Sequence, residues 1–92
     1  MKIGVLLSGC GVYDGAEIQE AILSMLAIES EGHTYQCIGL DQNQHHVVNH
    51  LTGEEMKDET RNMMIEAARI ARGNILDLKA LNTNDIDCLL IP

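Results

Sequence analysis

The sequence predicts an α/β protein in which a mainly parallel sheet is layered between helices. A continuously hydrophobic run at residues 2–7 is typical of a strand buried on both faces. Strand and helix patterns then alternate along the 92 residues, which favours parallel strands joined by right-handed crossovers. With two Tyr and no Phe or Trp, the core must consist of Ile, Leu, Val, Met and Ala. Together these features predict a flavodoxin-like three-layer sandwich with the first strand at its centre.

The first helix is predicted over residues 15–30, and Gly32 is expected just beyond its end. Its expected buried face comprises Ile18, Ala21, Ile22, Met25 and Leu26. A second strand follows at 34–40, where partial alternation of polarity predicts a position near the sheet edge.

Residues 41–57 are predicted to form a long polar connection with a short strand at 46–48. A second helix is expected over 58–72, with Met63, Met64, Ala67, Ala68 and Ala71 on one face. Further strands are predicted at 75–78 and 88–92, separated by a turn at 82–85. Since the last strand would expose a hydrophobic edge, we expect residues 1–92 to form the N-terminal half of a single domain that is unstable alone.

Composition restricts the classes of partner. Fourteen acidic against six basic residues give a net charge of −8, so no basic stripe is available for nucleic acid or an anionic membrane. The odd number of cysteines, Cys10, Cys37 and Cys88, suits reduced thiols in a cytoplasmic protein. The sequence carries no recognisable signal peptide or spanning segment.

The turn after the first strand, residues 8–17, is the expected location of function, because ligands of open α/β sheets bind at the carboxyl ends of strands. Two interpretations of Glu17 stay open from the residues alone. In the first, Asp14 is the N-cap and Glu17 the third helical residue of a capping box. In the second, Glu17 is a buried acid near a nucleophile on another strand.

The glycines Gly9, Gly11 and Gly15, with Asp41 after the second strand, invite comparison with a dinucleotide site. Their spacing departs from that motif. Asp14 and Glu17 would also repel a pyrophosphate at the helix N-terminus. Dinucleotide binding is therefore the weaker interpretation.

Cys10 could be activated by the amides of the turn, but the adjacent carboxylates oppose thiolate formation, which favours an inert thiol. His45, His46 and His50 lack the spacing of a zinc site and are interpreted as solvated loop residues. We therefore predict neither a metal ion nor a cofactor.

Four segments resemble the ElbB family, within the PfpI and class I glutamine-amidotransferase-like superfamily. They are KIGVLLSGCGVYDGAE at residues 2–17, NHLTGE at 49–54, and the ETRN and EAARIARG motifs at 59–62 and 66–73. The resemblance extends over essentially the whole chain. Members of the superfamily pair a nucleophilic cysteine with an acid from the turn after the first strand, and Glu17 matches that acid. No residue of this sequence matches the cysteine.

The resemblance implies a cofactor-independent glyoxalase-like lyase or hydratase that converts glyoxal to glycolate. Glu17 would be its catalytic acid, and Gly9, Cys10, Gly11 and Tyr13 would contact a small aldehyde substrate. A cytoplasmic homodimer is the expected assembly. Two alternatives stay open: a non-enzymatic redox-responsive or small-molecule-binding protein, and an amidotransferase-type hydrolase with a cysteine–histidine pair.

Overall fold

A computed structural model describes all 92 residues. The strands are β1 (Lys2–Leu7), β2 (Thr34–Gly39), β3 (Val48–Asn49), β4 (Glu54–Glu55), β5 (Ile75–Asp77) and β6 (Cys88–Leu90), and the helices are α1 (Ile18–Ser30) and α2 (Met63–Ala71). Two single turns of 3-10 helix lie at Leu78–Ala80 and Thr83–Asp85. Four strands form a parallel sheet in the order β5-β2-β1-β6, and β3 pairs with β4 in a separate antiparallel hairpin. The predicted α/β class is confirmed.

The core lies between one face of the sheet and the two helices. Alternate β1 residues Ile3, Val5 and Leu7 point into it, and Val5 and Leu7 are completely buried. They meet Ala21 and Met25 of α1, together with side chains from α2. Both crossovers, β1–α1–β2 and β2–α2–β5, step in the same direction across the sheet, so their common handedness places both helices on this face.

The opposite face of the sheet is also covered at its centre. Ile38 of β2 is completely buried there, and a Cβ atom at Gly4 would lie 2.8 Å from Ile38 Cδ1 and 3.0 Å from Ile86 Cδ1. The hydrophobic run at 2–7 therefore does form the doubly covered central strand that its composition predicts.

The expected edge position of β2 is wrong, because β2 lies between β1 and β5. Its polar beginning reflects incomplete cover: Tyr35 and Gln36 are half-buried, whereas Cys37 and Ile38 further along the strand are buried. The partial alternation of polar and apolar residues in β2 thus reflects its first residues, which the helices leave uncovered.

The first helix begins at Ile18, three residues later than predicted, and Gly32 follows it as expected, with a φ of 79°. Only part of its predicted apolar face is buried. The structure buries Ala21, Met25 and Ile28. The remaining predicted members, Ile18, Ile22 and Leu26, are 46%, 43% and 57% exposed. The apolar surface of α1 is wider than the strip that rests on the sheet.

The second helix begins at Met63, not at residue 58, with Asn62 as its N-cap. Residues 57–58 form a turn, and residues 61–62 pair with the connection instead: Gln44 donates its backbone N–H to the Arg61 carbonyl, and Asn43 pairs with Asn62 in an isolated bridge. Within α2, Ala67 is buried as predicted, and the buried Ile70 was missed. Neither helix has the length and hydrophobicity needed to traverse a bilayer.

Candidate active site

The turn after β1 folds back on itself through its own backbone. Gly11 donates to the carbonyl of Ala16 at 3.0 Å, and Ala16 in turn donates to the carbonyl of Ser8. A Cβ at Gly15 would lie 2.5 Å from the Cys10 nitrogen and 2.8 Å from the Ser8 oxygen, so only glycine fits. Close packing within the turn therefore accounts for Gly15, and a bound pyrophosphate is not needed to explain it.

Glu17 occupies the N-cap of α1. Its Oε2 accepts a hydrogen bond of 2.7 Å from the backbone N–H of Glu20, and the residue is half-buried. The predicted capping box is therefore wrong in register: Asp14 is not the N-cap and Glu17 is not the third helical residue. Asp14 does not cap the helix because its carboxylate accepts from the backbone N–H of Val48.

Asp14 joins the turn to the β3–β4 hairpin. Its side chain is only 7% exposed, and Oδ2 accepts from the backbone N–H of Val48 at 2.7 Å. The other oxygen, Oδ1, lies 3.6 Å from His50 Nε2. A carboxylate thus ties two segments that are 34 residues apart in the sequence.

His50 packs against the same turn. Its Nδ1 lies 3.0 Å from the carbonyl of Val48, its Nε2 accepts from the backbone N–H of Val12 at 3.4 Å, and its ring stacks on Tyr13 at 5.1 Å. A Cβ at Gly11, where φ is 147°, would lie 2.7 Å from Asp14 Oδ1 and 3.0 Å from His50 Nε2. His50 lies in a turn with its side chain 40% exposed, as interpreted, and its ring in addition contacts the turn after β1.

A cavity of about 210 Å³ lies between the turn and the connection that follows β2. Its lining comprises Cys10, Asp14, Gln44, Val47, Val48, His50, Arg61 and Glu66. Two buried oxygens among these residues, Asp14 Oδ1 and Gln44 Oε1, have no hydrogen-bond partner. Such orphaned acceptors are uncommon in folded proteins and identify the cavity as a candidate binding site.

The predicted site residues are distributed unevenly around this cavity. Cys10 lines it, whereas Gly9, Gly11 and Tyr13 belong to the adjacent turn without lining it. Glu17 does not line it either. The catalytic and substrate-binding roles of these five residues stay predictions.

The Cys10 thiol is held in its neutral form. Burial raises the pKa of the Cys10 thiol above its ordinary value, and the Glu66 carboxylate raises it further. Arg69 opposes this by lowering the pKa, and the Asp14 carboxylate makes the smallest contribution, which again raises it. Glu66 is itself only 13% exposed and accepts from Arg69 Nε at 2.6 Å. This arrangement agrees with the expectation of an inert thiol.

Sequence reasoning missed Gln44, Arg61 and Glu66 as parts of the cavity. They come from the connection and from α2, and no spacing in the sequence relates them to the turn. Asp41, considered as a ribose-binding acid, accepts instead from the side-chain amide of Asn62 at 2.7 Å. Histidine, cysteine and carboxylate side chains nowhere form a group of three that could hold a metal ion.

No family model matches the chain. Over 91 residues it is 41% identical to the human glutamine amidotransferase-like class 1 domain-containing protein 3, mitochondrial. The match covers 99% of this chain and 34% of the human protein. It is also 40% identical over 91 residues to the rat ES1 protein homolog, mitochondrial, with the same coverage. The chain therefore spans 34% of the length of the curated relatives that it matches.

A solved structure gives the same relationship in three dimensions. The crystal structure of an isoprenoid biosynthesis protein with an amidotransferase-like domain from Ehrlichia chaffeensis superposes with a TM-score of 0.97 at 39% identity. The match covers all of this chain and 43% of that one. The predicted flavodoxin-like fold is confirmed, and the chain is homologous to part of the class 1 glutamine amidotransferase-like proteins.

Proposed function

We propose that this chain is part of a cofactor-independent glyoxalase-like enzyme that converts glyoxal to glycolate. One observation carries the proposal: Glu17, which matches the acid of the superfamily, lies half-buried beyond the carboxyl end of a central parallel strand. Its carboxyl group is fixed by the bond to Glu20, so it is held in one place for a reaction partner.

The proposed reaction is balanced without an external oxidant. A cysteine thiolate from the remainder of the protein adds to one aldehyde carbon, and the resulting alkoxide is protonated to a hemithioacetal. An internal proton or hydride shift then oxidises that carbon to a thioester and reduces its neighbour to an alcohol. Water hydrolyses the thioester, releasing glycolate and the thiol. Glu17 would hydrogen-bond the cysteine and carry the proton between sulfur and oxygen.

The test is turnover of glyoxal by the full-length protein with Glu17→Gln. The amide oxygen can still accept from the Glu20 N–H, so the cap is preserved while the acid is lost. We expect kcat/KM for glycolate formation to fall at least about 100-fold, the usual contribution of a general acid–base group. Glu20→Gln, an exposed first-turn carboxylate, is the matched control and should leave turnover unchanged.

A second candidate is non-enzymatic binding of a small molecule, favoured by the polar cavity and its two orphaned oxygens. Absence of glyoxal turnover in the full-length protein, together with saturable binding of a small ligand, would support it. An amidotransferase-type hydrolase is a third candidate, suggested by the amidotransferase-like relatives. Release of ammonia from glutamine would distinguish it.

We also propose that the protein is a cytoplasmic homodimer. The names of the human and rat relatives place those proteins in mitochondria, so fractionation of cells that express the full-length protein is the relevant measurement. Light scattering on the purified protein tests the dimer. A mitochondrial location or a monomer would overturn the corresponding part of this proposal.

A further inference from the structure

Two buried acceptors in the cavity between the turn and the connection have no hydrogen-bond donor. Gln44 Nε2 donates to the His46 carbonyl at 3.2 Å, which fixes the amide so that Oε1 is the free atom. Asp14 Oδ2 accepts from Val48, which leaves Oδ1 free. Both free atoms are oxygens that can only accept, so a ligand that satisfies them must donate.

The neighbouring histidine does not supply the missing donor. His50 Nδ1 faces the Val48 carbonyl and therefore carries the ring proton, while Nε2 accepts from the Val12 N–H. In this tautomer Nε2 has no proton for Asp14 Oδ1, which lies 3.6 Å away. The orphaned carboxylate oxygen is thus a consequence of the contacts that hold His50 in place.

We propose that this cavity binds the hydrated, gem-diol form of a small aldehyde, whose two O–H groups donate to Asp14 Oδ1 and Gln44 Oε1. A bare aldehyde oxygen can only accept, whereas its hydrate presents two donors on one carbon. The cavity of about 210 Å³ is several times the roughly 30 Å³ that one water occupies, so it has room for such a molecule. This inference rests on the proposed function: the cavity would hold the dicarbonyl as its hydrate, and the bound end would lose water to regenerate the aldehyde that the internal shift reduces.

His50 lies over one of the two orphaned oxygens. Both oxygens are shielded from solvent, and Nε2 of the partly exposed His50 ring lies 3.6 Å from Asp14 Oδ1. The ring stacks on Tyr13, which is itself 61% exposed. An outward turn of the His50 side chain would uncover Asp14 Oδ1 without any movement of the sheet.

The probe is trifluoroacetaldehyde hydrate, a stable gem-diol with a fluorine signal, added to the full-length protein. Its dimethyl acetal has the same oxygens but no O–H group and is the matched control ligand. We expect the 19F resonance of the diol to broaden and shift with protein, and the acetal to bind at least tenfold more weakly. Equal binding of the two ligands, or no binding of the diol, would overturn the proposal and leave ordered water as the occupant.

Two variants test the named atoms. Gln44→Met removes Oε1, and Asp14→Asn keeps an acceptor for Val48 while replacing Oδ1 by a donor. Each should weaken diol binding at least tenfold, whereas the exposed neighbour Gln42→Met should not change it. Wild-type affinity in both variants would refute the site. Diol binding without glyoxal turnover would refute the proposed glyoxalase activity but support the diol site. Undiminished turnover in Gln44→Met would refute the diol site but support the glyoxalase activity.

Discussion

The sheet core and the connection between β2 and α2 are held by different forces. The core is aliphatic and dry, with Val5, Leu7 and Ile38 completely buried. The connection buries Val47 but otherwise attaches to the turn through the Asp14–Val48 and Val12–His50 hydrogen bonds. The stabilisation from burial is non-directional and roughly proportional to the apolar area that is buried, whereas each polar contact depends on the distance and angle between a particular pair of atoms. The candidate site therefore lies where packing gives way to polar contacts.

The largest effect that this comparison predicts is for a core leucine. Leu7→Ala should lower the free energy of unfolding by about 2–5 kcal/mol, because it removes buried contacts and leaves a cavity against the helices. Leu51, in the connection, is 97% exposed, so Leu51→Ala is the matched control. Urea denaturation of the full-length protein measures both. Equal losses in the two variants would mean that the connection packs as tightly as the core.

The contrast between apolar packing and specific polar contacts also explains which elements can be predicted from the sequence. β1 is predicted correctly because an uninterrupted hydrophobic run implies two buried faces wherever the neighbours come from. The start of α2 is predicted wrongly because Asp58 and Asn62 are both acceptable N-caps. Pairing of 61–62 with 43–44, a contact distant in sequence, selects Asn62.

The candidate site is likewise predictable only where local sequence determines it. The turn after β1 is identified correctly from the position of its strand, but the role of Asp14 depends on the Val48 N–H, 34 residues away. Local spacing favours a capping box with Glu17, and the tertiary contact overrides it. Gln44, Arg61 and Glu66 share no pattern with the turn, so only the folded chain brings them to one cavity.

A smaller effect is expected when the connection is detached from the turn. Asp14→Ala removes the acceptor of the Val48 N–H and the neighbour of His50, and should destabilise the protein by about 1–3 kcal/mol. Hydrogen exchange should accelerate in the β3–β4 hairpin while β1 and β2 keep their protection. Asp14→Asn, which retains an acceptor for Val48, should preserve hairpin protection. Uniform acceleration across the sheet in Asp14→Ala would show that the two regions unfold together.

The smallest effect concerns Cys10, which borders both regions. Since burial and the Glu66 and Asp14 carboxylates raise its pKa, thiolate forms only at alkaline pH and iodoacetamide should react slowly at pH 7. Glu66→Gln removes one of these carboxylates and frees Arg69, whose charge lowers the pKa. The pH profile of Cys10 alkylation should therefore move to lower pH, and the rate at pH 7 should rise several-fold.

The exposed, ion-paired carboxylate of Glu59 provides the control, because Glu59→Gln removes equal charge without being among the groups that act on Cys10. Cleavage after glutamate places Cys10, Cys37 and Cys88 in different peptides, so mass spectrometry separates Cys10 from the buried Cys37 and the exposed Cys88. Stability should depend on pH in a related way, because a thiol whose pKa is raised by folding contributes to stability below its unfolded pKa. That contribution is lost as pH rises through the folded value. An unchanged alkylation profile in Glu66→Gln would mean that burial keeps Cys10 neutral without help from the Glu66 carboxylate.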